Sequence, residues 1–222
     1  MAQTTVLVMG ATGAVGSEVI RQCVNDARIS SVAALTRRPL TLKHEKLREI
    51  VHEDFLDYSP LIDEFGEIDI CYCALGVSQV QVGDPKLYTT ITRDYVVKAA
   101  QALKAANSEI MFVFVSGAGA DASESSGVLW RKVKGETENR LREVLHDRLI
   151  IVRPAYIYPI HPRENAPWQE RIWSPFYHLK TVMPRFVTDT VEVARAMLEL
   201  SLSDAPPRLV SNMDLKRWAK GP

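Results

Sequence analysis

The sequence predicts an α/β fold in which a doubly wound, mostly parallel sheet is covered by helices on both faces. Short apolar runs alternate with helix-length amphipathic stretches along most of the chain. The runs are apolar at nearly every position, which is typical of strands buried on both faces. Strands that alternate with helices form parallel sheets with right-handed crossovers. The length of 222 residues suits a single domain.

Six segments have the strand pattern, because each is short, mainly apolar and bounded by polar residues or glycine. The most hydrophobic of them lies in the middle of the chain, where β-branched and aromatic residues follow one another. The predicted strands are residues 4–9, 31–36, 49–52, 68–74, 110–116 and 148–153.

Helices are predicted where apolar residues recur at helical spacing. They are residues 14–25, 85–107, 127–146 and 190–202. Pro85 suits the first turn of its helix. Asp189 and Glu192 have the spacing of a capping box at the start of the last helix. The polar stretch after the second strand is also compatible with a helix.

The pattern changes after Pro154, where prolines and large aromatic residues interrupt any regular period. We expect a small irregular lid beside the sheet, over residues 154–187. Its aromatic residues are Trp168, Trp173, Phe176 and Tyr177. They could pack the lid onto the sheet, line a substrate pocket or form a protein interface, and the sequence leaves these alternatives open.

Composition excludes several classes of protein. The 27 basic and 27 acidic residues balance, whereas a dedicated binder of nucleic acid or anionic membranes needs a basic excess. The longest apolar run is too short to span a membrane, and no secretory signal begins the sequence. The three cysteines argue against a disulfide scaffold, and none has metal-ligand spacing. We therefore expect reduced thiols, no metal site and a cytoplasmic location.

A glycine motif directly follows the first strand and opens the first helix. It consists of Gly10, Ala11, Thr12, Gly13, Ala14, Val15 and Gly16. In such motifs the first glycine permits the tight turn, the second lets a pyrophosphate approach the backbone, and the third lets the helix pack closely on the strand. The strand–turn–helix context predicts a dinucleotide-binding Rossmann domain over residues 1–222, with strand order 3-2-1-4-5-6 and room for a seventh strand.

Two arginines at the end of the second strand bear on the choice of cofactor. An NAD-preferring site carries an acidic residue about twenty residues after the glycines. This chain has Arg37 and Arg38 there, and guanidinium groups pair well with a ribose 2′-phosphate. The motif therefore predicts NADP(H), with solvated surface arginines as the alternative.

Residues at the other strand ends are also expected to line the cofactor, because ligands bind at the carboxyl ends of parallel strands. Each of them also has an ordinary packing role as its alternative. The predicted neighbours of the cofactor at these strand ends are Asp54, Phe55, Ala74, Leu75, Gly76, Val115, Ser116, Pro154 and Tyr156.

Five motifs together resemble a known family, the atypical short-chain dehydrogenases/reductases. The similarity points to the NmrA-like branch that includes the Tat-interacting oxidoreductase type. It covers nearly the whole chain and is weakest over residues 160–184. The motifs are the glycines of residues 10–16, Arg93-Asp94-Tyr95-Val96, Ser116-Gly117-Ala118-Gly119-Ala120-Asp121, Val133-Lys134-Gly135-Glu136 and Val152-Arg153-Pro154.

The resemblance implies a catalytic Ser followed by Tyr-x-x-x-Lys. Ser116 and Lys134 match the first and last of these, whereas the tyrosine position holds Trp130. The resemblance also implies that Lys134 binds the cofactor, at the nicotinamide ribose. An indole N–H only donates hydrogen bonds and cannot serve as an acid near neutral pH. The standard proton relay is therefore broken, and another acid is needed. The tyrosines considered in its place are Tyr72, Tyr88, Tyr156 and Tyr158.

Two functions follow as hypotheses. The first is an NADP(H)-dependent oxidoreductase that reduces a small carbonyl or quinone, with Ser116 and Lys134 retained. The second is a non-catalytic NADP(H)-binding redox sensor that acts through a protein partner, which the tryptophan at position 130 favours. The sequence leaves the substrate, the partner and the choice between monomer and dimer open.

Overall fold

The computed structural model describes residues 4–161 and 185–221, without the side chains of residues 80 and 81. The four aromatic residues predicted for the lid lie outside the described residues, as does most of the lid segment itself. The division of residues 1–222 into a single domain with a lid therefore stays a prediction.

The first part of the chain builds the strands that surround the glycine motif. It contains β1 (Thr4–Met9), α1 (Ala14–Asn25), β2 (Ile29–Thr36), β3 (Leu47–Val51), a 3₁₀ turn (Ser59–Leu61), α2 (Ile62–Gly66), β4 (Ile70–Cys73) and α3 (Gln79–Val82).

The remaining described elements complete the sheet and its helical layers. They are α4 (Pro85–Thr89), a π-helical segment (Thr90–Asp94), α5 (Tyr95–Ala106), β5 (Met111–Val115), α6 (Leu129–Leu145), a 3₁₀ turn (His146–Arg148), β6 (Leu149–Arg153), β7 (Tyr156–Tyr158), β8 (Val187–Asp189), α7 (Thr190–Ser201), β9 (Leu209–Ser211) and α8 (Asn212–Trp218).

The main sheet has seven parallel strands in the order β3-β2-β1-β4-β5-β6-β9. The predicted fold class and strand order are confirmed, and β9 is the seventh strand. The chain turns in opposite directions from β1, toward β2 on one side and β4 on the other. This reversal opens the crevice in which such folds bind ligands. A separate pair, β7 with β8, is also parallel.

Both faces of the sheet are packed, as the continuous apolar runs predict. Along β1, Val6 and Val8 face the layer of α1, α7 and α8, whereas Leu7 and Met9 face the layer of α2, α5 and α6. All four side chains are fully buried. Alternate residues of a strand point to opposite faces, so a strand buried on both faces must be apolar throughout.

The polar stretch after β2 is not helical, so that prediction is wrong. Residues 37–46 form turns and irregular backbone. The Thr36 hydroxyl bonds to both backbone groups of Arg38, and the Glu49 carboxylate accepts the N–H of Leu40. Such local bonds compete with helical hydrogen bonds, and Pro39 has no N–H to donate.

The other differences concern short elements and element ends. The predicted helix 85–107 is present, but a π-helical segment (Thr90–Asp94) interrupts it. The short elements α2, α3, β7, β8, β9 and α8 were not predicted individually, because their three to seven residues are shorter than the window in which a helical period can be recognised. The predicted cap of the last long helix is confirmed: the Asp189 side chain accepts the N–H of Glu192 at 2.8 Å.

Candidate functional site

The glycine turn between β1 and α1 has the geometry of a phosphate cradle. Gly10 adopts a left-handed backbone conformation with φ of +80°, and the Gly13 N–H donates to its carbonyl oxygen at 2.8 Å. Gly13 is the N-cap of α1, where no side chain caps the helix and the first turn contains no acidic residue. The positive end of the helix dipole is therefore left for an anion.

Two of the glycines are required by close backbone contacts. A Cβ at Gly10 would lie 2.5 Å from the carbonyl oxygen of Ala74, just beyond β4. A Cβ at Gly16 would lie 2.1 Å from the carbonyl oxygen of Gly10. At Gly13 the nearest atom would be 3.1 Å away, so this position is far less crowded by the protein. The turn thus places the predicted residues Ala74, Leu75 and Gly76 beside the cradle.

Arg37 and Arg38 lie just after β2 and are both exposed. The Thr36 hydroxyl donates to the Arg38 carbonyl oxygen at 2.8 Å, which bends the chain at this strand end. Within the described ranges, neither guanidinium has an ion-pair partner. Two unneutralised positive charges therefore stand at the sheet edge next to the glycine turn.

After β3, Asp54 and Phe55 have different surroundings. Asp54 is exposed, and its carboxylate accepts the N–H of Leu56 at 2.9 Å. Phe55 is buried, with its ring centroid 6.0 Å from that of Tyr58 and 5.5 Å from that of Tyr95. The ring of Phe55 belongs to the core, so Asp54 is the exposed side chain of this pair.

Lys134 on α6 reaches the point where the ends of β4 and β5 meet. Its ammonium donates to the carbonyl oxygen of Val115 at 3.0 Å and lies 4.8 Å from the centroid of the Phe114 ring. A Cβ on Gly76 would lie 3.7 Å from the same nitrogen. Burial lowers the pKa of Lys134 from 10.5 to about 8, although Cys73 and Glu138 nearby partly oppose the shift.

Ser116 lies at the same strand end as Lys134, but its hydroxyl forms a hydrogen bond with a different residue. Its buried hydroxyl donates to the Glu138 carboxylate at 2.5 Å. Glu138 lies one turn after Lys134 on α6, is fully buried, and accepts hydrogen bonds from Arg153 at 2.5 and 2.8 Å and from Arg142 at 3.2 Å. The structure therefore places both predicted residues at one strand end, without a shared hydrogen bond among the residues described.

Trp130 lies one helical turn before Lys134, as the spacing predicts. The far edge of its indole lies against the loop after β5, 3.6 Å from a Cβ built on Gly117 and 3.3 Å from one built on Gly119. The Arg131 side chain donates to the Gly119 carbonyl oxygen at 2.9 Å. The indole thus forms an apolar wall against this loop, at the position where the resemblance implies a phenol.

The tyrosines considered as substitute acids differ in access. Tyr72 is fully buried and its hydroxyl lies 2.7 Å from that of Ser201, on the opposite layer of helices. Tyr88 is buried as well, and burial raises the pKa of both phenols. Tyr156 on β7 is 37% exposed and Tyr158 is partly buried. Access to solvent therefore favours Tyr156 and Tyr158 over the other two.

Two features of the site escaped the sequence analysis. A Cβ at Gly135 would lie 1.8 Å from the carbonyl oxygen of Asp121, so this glycine lets α6 pack against the loop after β5. Glu138 was missed as well, although a glutamate four residues after Lys134, on an otherwise buried face, is the signal that would have identified it.

Comparison with known proteins identifies the family. Residues 10–169 match the family described as NAD(P)H-binding. The chain belongs to the NAD(P)H-binding family. The matched segment begins at the first glycine of the cradle and contains both Lys134 and Trp130. The resemblance inferred from the sequence motifs is confirmed at this level.

Individual relatives of this NAD(P)H-binding chain are distant. The rat protein HTATIP2 is 31% identical over 161 residues, which are 71% of this chain and 64% of that protein. Protein FMP52, mitochondrial, of Candida albicans is 30% identical over 150 residues, which are 66% of this chain and 64% of that protein. The chain thus covers less than two thirds of the length of these relatives.

Among solved structures, the Bordetella bronchiseptica enzyme WbmF in complex with NAD⁺ matches with a TM-score of 0.72 and 15% identity, over 97% of this chain and 77% of that one. At this identity the similarity establishes the fold alone.

In the ranges 4–161 and 185–221, no helix is long and apolar enough to cross a membrane. No cluster of three or more His, Cys, Asp or Glu side chains suited to a metal occurs there either.

Proposed function

We propose that this protein is an NADP(H)-dependent oxidoreductase that reduces a small carbonyl compound or quinone. The observation that carries the proposal is the uncapped start of α1 at Gly13, beside two arginines that have no ion-pair partner among the described residues. A dinucleotide pyrophosphate fits the first feature, and a 2′-phosphate fits the second. Membership of the NAD(P)H-binding family supports the cofactor class but leaves NADP against NAD open.

The chain supplies a binding group for each part of the cofactor. Gly13 and the N–H groups that begin α1 would hold the pyrophosphate, and Arg37 with Arg38 the 2′-phosphate. Asp54 would face the adenine. Lys134 would hold the nicotinamide ribose, at the strand ends that carry Gly76 and Val115. The bound cofactor supplies a hydride.

The substrate would bind between the nicotinamide region and the apolar wall of Trp130. A flat, conjugated compound suits an indole face and a glycine-rich loop. Lys134 would stabilise negative charge on the substrate oxygen, which favours carbonyls and quinones as acceptors. Ser116 would act on the substrate after exchanging its bond to Glu138, and Pro154 with Tyr156 would border the pocket.

Calorimetric titration with the four nicotinamide dinucleotides tests the cofactor part. We expect the double variant Arg37→Ala/Arg38→Ala to weaken NADPH binding about 10- to 100-fold, because it removes charge-assisted hydrogen bonds that together contribute about 1.5–3 kcal/mol. NADH binding should stay within about twofold. Arg217→Ala, which removes an arginine that is 78% exposed on α8, serves as the control. Equal weakening of NADPH and NADH would contradict the proposed role.

Restoring the missing phenol tests the reductase part. We expect Trp130→Tyr to raise turnover of carbonyl substrates by about tenfold, because it adds a phenol that can donate a proton where the indole cannot. Lys134 lies one helical turn away and would lower the pKa of the new phenol. The measurement is NADPH oxidation with a panel of aldehydes, ketones and quinones. Trp218→Tyr on α8 should leave the rates unchanged.

A second function is favoured by the same tryptophan. We propose as the alternative a non-catalytic redox sensor, in which NADP(H) binding alters the surface offered to a protein partner. A charged groove of 580 Å³ between α5 and α6, away from the glycine turn, is a surface that such a partner could use. The sensor is the better explanation if no panel substrate is turned over and the protein captures a partner differently with NADPH than with NADP⁺. Partner binding that ignores the cofactor would exclude the sensor.

We propose a cytoplasmic location, because the cysteines Cys23, Cys71 and Cys73 are all free and buried, as suits a reducing compartment. The fungal relative FMP52 carries the word mitochondrial in its name, so the mitochondrion is the competing location. Imaging of the full-length protein with a fluorescent tag distinguishes the two.

A further inference from the structure

We propose that Lys134 is itself the proton donor of this site and takes over the acid role of the absent tyrosine. The inference rests on the proposed reductase function and names the acid that this function lacks. It starts from the position of the ammonium group, which lies between the ends of β4 and β5 and points away from the helix that carries it.

The hydrogen bonds of Lys134 leave protons available. An ammonium has three N–H donors. In the part of the chain that the structure describes, the carbonyl oxygen of Val115 is the only acceptor that Lys134 uses. Gly76 has no side chain, and Trp130 offers no acceptor, so neither competes for the other two protons. A substrate oxygen and a ribose hydroxyl can therefore both bind to the ammonium.

The other groups near this position are less suitable proton donors than Lys134. The indole of Trp130 has no usable acid chemistry. The phenols of Tyr72 and Tyr88 are buried, and Tyr72 bonds on the opposite face of the sheet. The Ser116 hydroxyl donates to Glu138, which two arginines hold in place. Tyr156 and Tyr158, which are both at least partly exposed on β7, are the competitors that the experiment must address.

The electrostatic surroundings make Lys134 a better acid than an ordinary lysine. The Phe114 ring of β5 and the strand ends remove water from the ammonium, which lowers its pKa to about 8. Cys73 at the end of β4 and Glu138 on α6 are the titratable groups that oppose this shift. Below pH 8 the ammonium holds its proton, and above pH 8 the supply of acid falls.

The step balances without a further reactant. The reduced nicotinamide, when bound, would supply a hydride with its electron pair to the carbonyl carbon. Lys134 would give one N–H proton to the carbonyl oxygen, and the N–H electron pair would stay on nitrogen. A carbonyl substrate would become an alcohol, a quinone would give a hydroxydienone that tautomerises to the hydroquinone, and the neutral amine would regain a proton from solvent.

Chemical labelling tests the acid independently of turnover. Acetic anhydride acylates neutral amines, so the pH dependence of labelling, followed by peptide mass spectrometry, reports the protonation of each lysine. We expect half-maximal labelling of Lys134 near pH 8, and at least tenfold protection by NADPH. Exposed Lys98 in the same sample provides the reference. A midpoint at pH 10 or above for Lys134 would overturn the proposal.

Turnover of matched variants tests the step itself. Lys134→Arg keeps the positive charge and the donors, but a guanidinium does not release a proton. We expect NADPH affinity within about threefold of wild type and a loss of turnover of about 100-fold or more. Adding Trp130→Tyr to this variant should restore at least a tenth of the activity, because the phenol then donates. Lys132→Arg, on the exposed face of α6, is the control.

The outcomes separate this proposal from the proposed function. An active Lys134→Arg enzyme with an inactive Tyr156→Phe or Tyr158→Phe enzyme assigns the proton to that tyrosine, which overturns the inference and leaves the reductase intact. If wild-type protein binds NADPH but turns over no panel substrate, both the reductase function and the role of Lys134 are excluded. Two results support both the reductase function and the role of Lys134. Wild-type turnover declines above pH 8, and Lys134→Arg is the variant that loses activity while the tyrosine variants keep it.

Discussion

Gly16→Ala is expected to abolish cofactor binding and to destabilise the protein. Its Cβ would lie 2.1 Å from the Gly10 carbonyl oxygen and 2.7 Å from the carbonyl carbon, so α1 must move away from the turn. Backbone atoms cannot rotate out of the way as a side chain can. We expect a loss of about 3 kcal/mol in the free energy of unfolding, as for severe overpacking, and an NADPH affinity at least 100-fold weaker.

Two other glycines separate packing from ligand approach in this experiment. Gly13→Ala adds a Cβ 3.1 Å from the nearest protein atom, at the N-cap of α1 where the pyrophosphate would bind. We expect it to weaken binding while it leaves urea unfolding within about 1 kcal/mol of wild type. Gly127→Ala, whose Cβ meets nothing within 4 Å, should change neither property. Normal NADPH binding by Gly16→Ala would contradict the proposal that the glycine turn binds the cofactor.

Glu138→Gln is expected to be the most destabilising conservative change in α6. The carboxylate is fully buried and accepts bonds from Ser116, Arg153 and Arg142. Removal of one partner from a buried ion pair costs about 3–5 kcal/mol, because it leaves a charge uncompensated. We expect the free energy of unfolding to fall by about 3 kcal/mol, the lower end of this range. The side chains of Arg153 and Arg142 are 22% and 41% exposed, so water partly compensates their charges.

A surface glutamate on the same helix provides the matched control. Glu143 pairs with Arg140, and their side chains are 63% and 60% exposed. Water screens such pairs, so Glu143→Gln should change the free energy of unfolding by no more than about 0.5 kcal/mol. Urea unfolding of both variants measures the contrast. Similar losses for the two would show that the buried network contributes little to stability.

The site combines a well-formed cofactor cradle with an altered reaction centre. The residues proposed to bind the dinucleotide lie within short segments, whereas the proposed reaction centre joins β4, β5 and α6. Trp130 changes the chemistry that this centre can perform but leaves the position of Lys134 as the motif predicts. This separation is why cofactor binding and turnover must be measured independently.

Local sequence patterns determined the parallel sheet, its strand order, the glycine turn and the placement of positions 130 and 134 on one side of α6. These features depend on periods of a few residues and on turns that need glycine, and such signals are complete within a short segment. The same reasoning failed for the stretch after β2, where side chains bond to the local backbone, and for elements of three to seven residues.

Only the tertiary structure decided what the predicted residues touch. It placed the hydroxyl of Ser116 on Glu138, 22 residues away, and buried the ring of Phe55 in the core. It also set the ammonium of Lys134 beside Phe114 and Gly76, which come from different strand ends. The pKa of a lysine depends on the dielectric and charges around it, and these arise from segments that the sequence keeps apart and the fold brings together.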